Sequence, residues 1–176
     1  MNTNSKKLVR SALLLALAIV IQAIGSRIPQ VSQLFVGSVV NAVLIISVMI
    51  CGTVWGCMIG GLTPLLAWLI GQLPAPMGPF VPFIMLGNII LVLIFGILYN
   101  DSKVRQIAGI ILGALLKFAF LYLSASKLVA LFKLSIPKPI TQKLVIMMGI
   151  PQLITALIGG FIALVLFDVL NKRKAL

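Results

Sequence analysis

The sequence predicts an all-α integral membrane protein, a bundle of six transmembrane helices with both termini in the cytoplasm. Only 9% of its 176 residues are charged and 61% are hydrophobic, whereas soluble domains carry about 25% charged residues to cover their surface. Residues 28–100 contain no Asp, Glu, Lys, Arg or His at all. Continuous apolar runs of about 20 residues are typical of membrane-spanning helices, because the strands of a barrel would alternate apolar and polar residues.

Gly, Pro, Asn and charged residues interrupt the apolar runs and so define the spans. The first run follows a basic N-terminus but leads into further apolar runs, so we expect a retained span and not a cleaved signal peptide. Segment 71–79 separates two spans, because no helix continues through its Pro and Gly residues. Links 26–35 and 130–142 are the longer connections. Within one domain, residues 1–176, the predicted spans are 8–25, 36–52, 54–72, 80–99, 106–129 and 143–169.

Basic residues indicate the orientation, because Lys and Arg are retained on the cytoplasmic side of a membrane. With both termini inside, eight basic residues fall on the inner side and five on the outer side, and Lys117 lies within a span. This count favours cytoplasmic termini, although the outer side is unusually basic. The inner residues are Lys6, Lys7, Arg10, Lys103, Arg105, Lys172, Arg173 and Lys174, and the outer ones are Arg27, Lys127, Lys133, Lys138 and Lys143.

Several classes of function are excluded by residues that the chain lacks. It has no histidine, and its only acids, Asp101 and Asp168, lie at predicted inner ends of spans. Neither a carboxylate pair within the membrane nor a Ser-His pair is therefore available for catalysis. No G-x-x-x-x-G-K-[ST] phosphate loop is present. We expect no enzymatic activity, no metal site and no cofactor, and an energy source outside this chain.

Polar side chains within the spans predict a binding pocket that opens outward, because such groups are unfavourable in lipid and usually face the bundle interior. In the fifth span, Gly113, Lys117, Phe120, Ser124 and Lys127 share one helical face. The sixth span adds two polar residues after Pro151, the fourth adds an amide, and the first outer link, with Arg27, Gln30 and Gln33, could act as a lid. The predicted substrate-binding residues are Arg27, Gln33, Asn88, Lys117, Phe120, Ser124, Lys127, Gln152 and Thr155.

The surplus of positive charge in this pocket favours an anionic ligand, and its aromatic residues favour a flat or apolar moiety beside the charge. Two alternatives to a role of these lysines in ligand binding stay open. Lys117 could instead extend towards the membrane surface or pair with a backbone carbonyl. Lysines 133, 138 and 143 could simply be solvated.

Small residues form stripes on three spans and allow close approach of helices in lipid. Ala12 and Ala16 form an A-x-x-x-A pair, and Ala23 returns to the same face. Each stripe could serve internal packing or form a docking face for another protein. The other stripes are Gly56, Gly60, Thr63, Ala67 and Gly71 in the third span, and Ala156 and Gly160 in the sixth.

Taken together, these features resemble the substrate-binding S component of an energy-coupling factor (ECF) transporter. The resemblance covers the whole chain and is carried by its size and basic charge, the six predicted spans, Ala12 and Ala16, a first outer link that could act as a lid, and the missing ATPase motif. Residues 81–88, Val-Pro-Phe-Ile-Met-Leu-Gly-Asn, also look similar to this family.

The resemblance implies a protein of a prokaryotic cell membrane that binds a vitamin or related micronutrient in its outer half. It further implies docking, through Ala12 and Ala16, on an ECF module of one transmembrane coupling protein and two ATPases. The expected partners are that module, the vitamin and the lipid membrane, without nucleic acid. Because the basic pocket favours an anionic ligand, we expect a pantothenate-like or folate-like cargo.

Two other functions are compatible with the sequence. A membrane assembly or regulatory subunit would use its small-residue stripes to bind a partner helix and would have no ligand. A self-sufficient carrier or channel would give flux without any ATPase. A membrane enzyme is the least favoured reading, because histidine and a mid-membrane acid are both missing.

Overall fold

The computed structural model describes residues 3–27, 29–132 and 134–173. For residues 29–32 it describes the backbone alone. Within these residues the protein is helical and contains no strand. The elements in chain order are α1 (Thr3–Gly25), α2 (Pro29–Cys51), α3 (Thr53–Leu69), a 3₁₀ helix (Ala75–Phe80), α4 (Val81–Leu98), α5 (Lys103–Leu123), a π-helical turn (Ser124–Leu128), α6 (Val129–Leu131), α7 (Lys138–Met147) and α8 (Ile150–Lys172).

Five helical stretches of the described chain are long and apolar enough to cross a membrane, and α3, with 17 residues, is apolar but shorter. Their outward side chains are apolar as well: Ile97 and Val104 are each 76% exposed. Exposed apolar side chains along such long helices are typical of a surface that faces lipid. The predicted all-helical membrane architecture is therefore confirmed, while the count of six spans and the cytoplasmic termini stay predictions. The five stretches are Thr3–Gly25, Gln33–Cys51, Ala75–Leu98, Lys103–Leu131 and Lys138–Lys172.

Several predicted boundaries are wrong. A 3₁₀ helix begins at Ala75 inside the predicted break at 71–79, and α7 begins at Lys138 inside the predicted link 130–142. The outer link predicted at 26–35 is helical from Pro29 onward, since proline is favourable in the first turn of a helix, where its missing N–H is not needed. The sixth predicted span, 143–169, is two helices, because α7 ends at Met147 and α8 begins at Ile150, again with a proline in its first turn. Gly149 lies at this break, directly before the first residue of α8.

Helix α2 is the centre of the bundle and packs against α1, α3, α4 and α8. Its middle is enclosed on every side: Leu44, Ile45 and Ser47 are fully buried. Gly52, with a φ of 98°, reverses the chain between α2 and α3, a left-handed backbone conformation that glycine adopts without strain. This single residue explains how the two helices can follow each other so closely in sequence.

Glycines allow two close helix contacts inside the bundle. A Cβ atom on Gly159 of α8 would collide with the carbonyl oxygen of Ser38 and would lie 2.7 Å from the Cβ of Asn41, both on α2. A Cβ atom on Gly56 of α3 would similarly lie 3.0 Å from side-chain atoms of Ser47 and Val92.

In the sixth-span stripe, Ala156 is fully buried and a Cβ atom on Gly160 would collide with the Ile110 side chain of α5. This stripe and the buried part of the third-span stripe therefore serve internal packing, whereas Gly71 is exposed. The first-span stripe differs, because Ala12, Ala16 and Ala23 are exposed.

We expect Gly159→Ala to destabilise the protein by about 1–3 kcal/mol, because the new methyl group meets α2 backbone that cannot rotate away. Thermal unfolding in detergent measures this as a lower Tm. Gly61→Ala is the matched control, since its Cβ would meet only side-chain atoms at 3.8 Å and beyond. Equal melting temperatures for the two variants would contradict the close α2–α8 contact.

Candidate binding site

A cavity of about 470 Å³ lies at one end of the bundle. Its walls come from α1, α2, α3, α4, α5 and α8, and α7 contributes to its rim. Gln22 near the end of α1 and Gln152 near the start of α8 both line it, so the opposite ends of these helices, Thr3 and Lys172, point away from the cavity. If both termini are cytoplasmic, the cavity therefore lies in the outer half of the membrane.

Lys117 of α5 lies in the cavity wall although its side chain is 97% buried, with a relative exposure of 3%. Its Nζ donates hydrogen bonds to Oδ1 of Asn41, at 2.7 Å, and to Oδ1 of Asn88, at 2.8 Å. A lysine ammonium has three N–H donors. In the described part of the chain the third has no acceptor, so one donor of a buried amine is left for a molecule in the cavity.

The two asparagine amides are held so that their oxygens face Lys117. The Nδ2 of Asn41 donates to the Gly37 carbonyl at 2.8 Å and to Oγ1 of Thr155 at 3.4 Å. The Nδ2 of Asn88 donates to the Gly60 carbonyl at 3.1 Å. If either amide were flipped, its N–H group would face the N–H of Lys117, and its own hydrogen bond to the backbone carbonyl would be lost. Four helices, α2, α3, α4 and α8, thereby fix the position of one amine on α5.

Neither acid of the chain neutralises this amine. Asp101 is exposed just after α4, and Asp168 pairs with Lys103 near the C-terminal end of α8, away from the cavity. Lys143, from α7, adds a second basic residue to the cavity lining. The described residues also contain no group of three His, Cys, Asp or Glu that could hold a metal ion. The cavity thus offers positive charge and hydrogen-bond donors without a counter-charge.

Amides and aliphatic side chains make up most of the remaining wall. Gln33 donates from Nε2 to the carbonyl of Met147 at 2.9 Å, which ties the end of α7 to α2. Gln22 is only 5% exposed and its Oε1 has no hydrogen-bond partner. The aliphatic lining is supplied by Val36, Val40, Pro64, Ala67, Leu73, Pro74, Ile84, Met147 and Met148.

The structure brings four of the predicted site residues together in the cavity wall: Gln33, Asn88, Lys117 and Gln152. Thr155 lies behind them, 2% exposed, as the partner of Asn41. Gln33 reaches the cavity from within α2 and not from a loop. The side chain of Gln30, the other predicted lid residue, lies outside the described part of the chain.

Besides Thr155, four predicted residues are not part of the cavity lining. Arg27 and Lys127 are exposed. Phe120 packs in the apolar cluster around Leu121, and the buried Ser124 donates its hydroxyl to the Phe120 carbonyl at 2.7 Å. The π-helical turn at Ser124–Leu128 inserts an extra residue into the helical repeat. Lys127 therefore does not continue the face that carries Lys117.

Sequence reasoning missed Asn41, Gln22, Gln72 and Lys143, all of which line the cavity. The signal for two of them was present, because Asn41 and Gln22 are amides within predicted spans and polar groups in lipid usually face the interior. For Gln72 no such signal was present, and Lys143 was predicted only as an outer basic residue. Gln72 lies in the loop after α3 and Lys143 lies within α7, and only the folded arrangement brings both over the cavity.

One family model matches the chain, and it is described as the ECF transporter substrate-specific component. The match covers residues 6–170 and so includes every residue that lines the cavity. No curated protein and no solved structure gives a significant match. Because the family model spans nearly the entire chain, this protein belongs to the family of substrate-specific, or S, components of ECF transporters.

Proposed function

We propose that this S component captures a small anionic micronutrient of the vitamin class in the cavity beside Lys117. The observation that carries the proposal is the buried amine itself, which faces the cavity with one unpaired N–H and no acid nearby. Isolated charges are unfavourable in lipid and are retained where they meet an ion or a substrate. A carboxylate is the natural partner, because charge-assisted hydrogen bonds are the strongest available.

Family membership supports the remainder of the proposal. S components are membrane proteins that supply substrate specificity and associate with an ECF module of ABC ATPases and a transmembrane coupling protein. This chain has no phosphate loop of its own, so uptake would draw its energy from that module. We place the protein in a prokaryotic cell membrane, with the cavity facing outward and both termini inside.

In the proposed complex, Lys117 contacts the anionic group of the cargo, and Asn41 and Asn88 act as positioning residues for its amine. Gln33 and Gln152 line the same cavity and supply neutral polar contacts. Lys143 is exposed in the lining and would attract an anion without fixing its orientation. Pantothenate and folate are both consistent with a carboxylate bound in this way.

We expect Lys117→Gln to lower affinity for the cargo by at least about tenfold, since a hydrogen bond to a charged group contributes about 1.5–3 kcal/mol. Native mass spectrometry of the detergent-purified protein with a vitamin panel identifies the cargo as a stoichiometric adduct, and titration calorimetry then measures its Kd. Lys138→Gln is the matched control, because Lys138 is exposed and does not line this cavity.

A bare protein mass across the whole panel would refute the proposal, as would equal affinities of the wild type and Lys117→Gln. The melting temperature of each variant separates loss of binding from loss of folding. Glutamine keeps donors for Asn41 and Asn88, so this substitution removes the charge with the least damage to the network.

Helix α1 supports the docking part of the proposal. It packs against α2 and α3 through one side, and its other side is open: Ala12 and Ala16 are exposed, with Leu13 66% and Leu17 50% exposed beside them. Alanines among larger apolar residues form a shallow surface on which another helix can pack closely. We propose this surface as the contact with the coupling protein of the ECF module.

Ala12→Trp or Ala16→Trp should abolish cargo uptake by the reconstituted transporter, because an indole ring prevents the close helix contact. Cargo binding by the isolated S component should stay unchanged, since both positions are on the outer side of α1. Ala119→Trp, at an exposed position of α5, controls for a tryptophan facing lipid. Normal uptake by both α1 variants would place the docking surface elsewhere.

A further inference from the structure

A second cavity, of about 530 Å³, lies between the π-helical turn with α6 on one side and the start of α7 on the other. It shares no lining residue with the cavity beside Lys117. Helix α7 separates the two, because Lys143 and Met147 line the first cavity, whereas Lys138 and Gln142 line the second from the opposite face of the helix. The second cavity is therefore a distinct feature of the fold.

The floor of this second cavity is apolar. Ala125 and Val129 are almost completely buried, and Leu134 and Ile136 are half-buried. All four pack in one apolar cluster beneath the loop that follows α6. The backbone N–H of Leu134 donates to the Val129 carbonyl at 3.1 Å, which holds this loop against α6 as a side wall. Such a floor can hold a hydrocarbon chain, because the contact removes apolar surface from water on both sides.

The rim of the second cavity is polar and basic. The hydroxyls of Ser126 and Thr141 donate to backbone carbonyls of their own segments. By contrast, the side chains of Lys138 and Gln142 have neither a hydrogen-bond nor an ion-pair partner in the part of the chain that the structure describes. They are four residues apart on one face of α7, so both can contact the same group. An ammonium and an amide N–H are donors that a phosphate accepts.

This rim lies on the side of the membrane that is unexpectedly basic. Lys and Arg are normally retained on the cytoplasmic side, yet Lys127 and Lys138 lie at the outer end in the orientation proposed above. Both acids of the chain, Asp101 and Asp168, lie near the inner end, so no acidic side chain neutralises the rim. The cargo site accounts for Lys143 but leaves the other outer lysines without a role. Unneutralised basic residues at a membrane surface attract anionic lipids.

The second cavity also lies at the depth of lipid headgroups. The apolar segment from Lys103 to Leu131 has 29 residues, which corresponds to about 40 Å at about 1.5 Å per residue. The hydrocarbon core of a bilayer is only about 30 Å thick. The last residues of this segment, which form the floor of the cavity, therefore lie close to the membrane–water boundary. A lipid phosphate lies at this level, and its acyl chains extend from there into the bilayer.

We infer that the second cavity binds one anionic phospholipid of the outer leaflet. The phosphate contacts Lys138 and Gln142, and one acyl chain lies on the apolar floor formed by Ala125 and Val129. A soluble anion would use the rim but gain nothing from the floor, and a lipid without net charge would gain less from the lysine. The inference is independent of the cargo and takes from the proposed function only the orientation in the membrane.

The first experiment compares two lipids on the wild-type protein. Phosphatidylglycerol and phosphatidylcholine with identical acyl chains differ only in the headgroup and its net charge. Each is titrated into the detergent-purified protein, and native mass spectrometry gives the bound fraction. The protein should retain one phosphatidylglycerol with a Kd at least about fivefold lower than that of phosphatidylcholine, because a lysine at the membrane surface favours anionic lipid by about this factor. Equal affinities would overturn the inference.

A matched pair of lysine substitutions tests the rim. Lys138→Gln should bring the affinity for phosphatidylglycerol close to that for phosphatidylcholine. Lys127→Gln is the control, because it removes the same charge from an exposed residue at the same end of the bundle that does not line the cavity. It should leave the preference for phosphatidylglycerol unchanged. Equal weakening by the two substitutions would show a diffuse attraction of lipid and would overturn the site.

A second pair of substitutions tests the floor. Ala130 is exposed and lines the cavity, so Ala130→Trp should fill the space of the acyl chain and weaken both lipids by at least about threefold. Ala119→Trp places the same ring at an exposed position of α5 outside the cavity and should have no effect. Melting temperatures identify any variant that has lost its fold. Unchanged lipid binding by a folded Ala130→Trp variant would contradict the proposed seat of the acyl chain.

Other occupants give different results. Glycerol 3-phosphate carries the charge without acyl chains and should displace phosphatidylglycerol only at a concentration at least about 100-fold higher, because each buried CH₂ group adds to the affinity of the lipid. Displacement at equal concentration would assign the cavity to a soluble phosphate and overturn the inference. A dimer mass that Lys138→Gln abolishes would assign it to a second copy of the chain, with the same consequence.

The inference and the proposed function fail separately. Lys117→Gln should lose affinity for the cargo and keep its preference for phosphatidylglycerol, whereas Lys138→Gln should lose that preference and keep its affinity for the cargo. Absence of any vitamin adduct would refute the proposed function and leave the lipid site standing. Loss of both affinities in Lys138→Gln, with an unchanged melting temperature, would overturn the separation of the two cavities on which the inference depends.

Discussion

One buried amine determines the arrangement of the cavity. Lys117 is almost completely enclosed, in a chain whose two acids both lie elsewhere, so its position is stabilised by dipoles alone. Asn41 and Asn88 each direct one amide oxygen at it. An ion pair with a carboxylate of the chain would neutralise the amine and remove the charge that attracts an anionic ligand. Two neutral amides stabilise it only partly, and this incomplete pairing leaves a donor that an anion can use.

The amide network in turn depends on how closely α2 and α8 approach. A Cβ atom on Gly37 of α2 would lie only 3.0 Å from the side chain of Thr155, and Gly159 of α8 lies against the backbone of α2. These two glycines let Thr155 reach Asn41. Without a hydrophobic force between helices in lipid, side-chain packing and hydrogen bonds must hold them together. Gly37 and Gly159 therefore position the wall of the cavity as well as packing the bundle.

The sequence was sufficient for the helical membrane class, because that conclusion needs only the length of apolar runs and the scarcity of charge. The sequence also predicted that Lys117, Asn88 and Gln152 line a common pocket, because polar groups within spans usually face the bundle interior. All three lie in the cavity wall. Sequence reasoning failed where the helical repeat changes. The π-helical turn displaces Lys127 from the face of Lys117. Pro29 begins α2 inside a segment predicted as a link, and Pro151 lies in the first turn of α8 inside a segment predicted as a continuous span. Local patterns do not determine such irregularities, because tertiary packing selects them.

Helix α1 connects the two surfaces that matter for the proposed activity. Its buried residues Ser11, Ala18, Gln22 and Gly25 follow the helical repeat along one side, and the exposed alanines lie on the other. Gln22 faces the cavity while Ala12 and Ala16, two to three turns earlier, face outward. A bulky group on the outward side would change the docking surface without entering the cavity. Under the proposed function, substitutions on the two sides of this one helix should therefore affect the cavity and the docking surface separately.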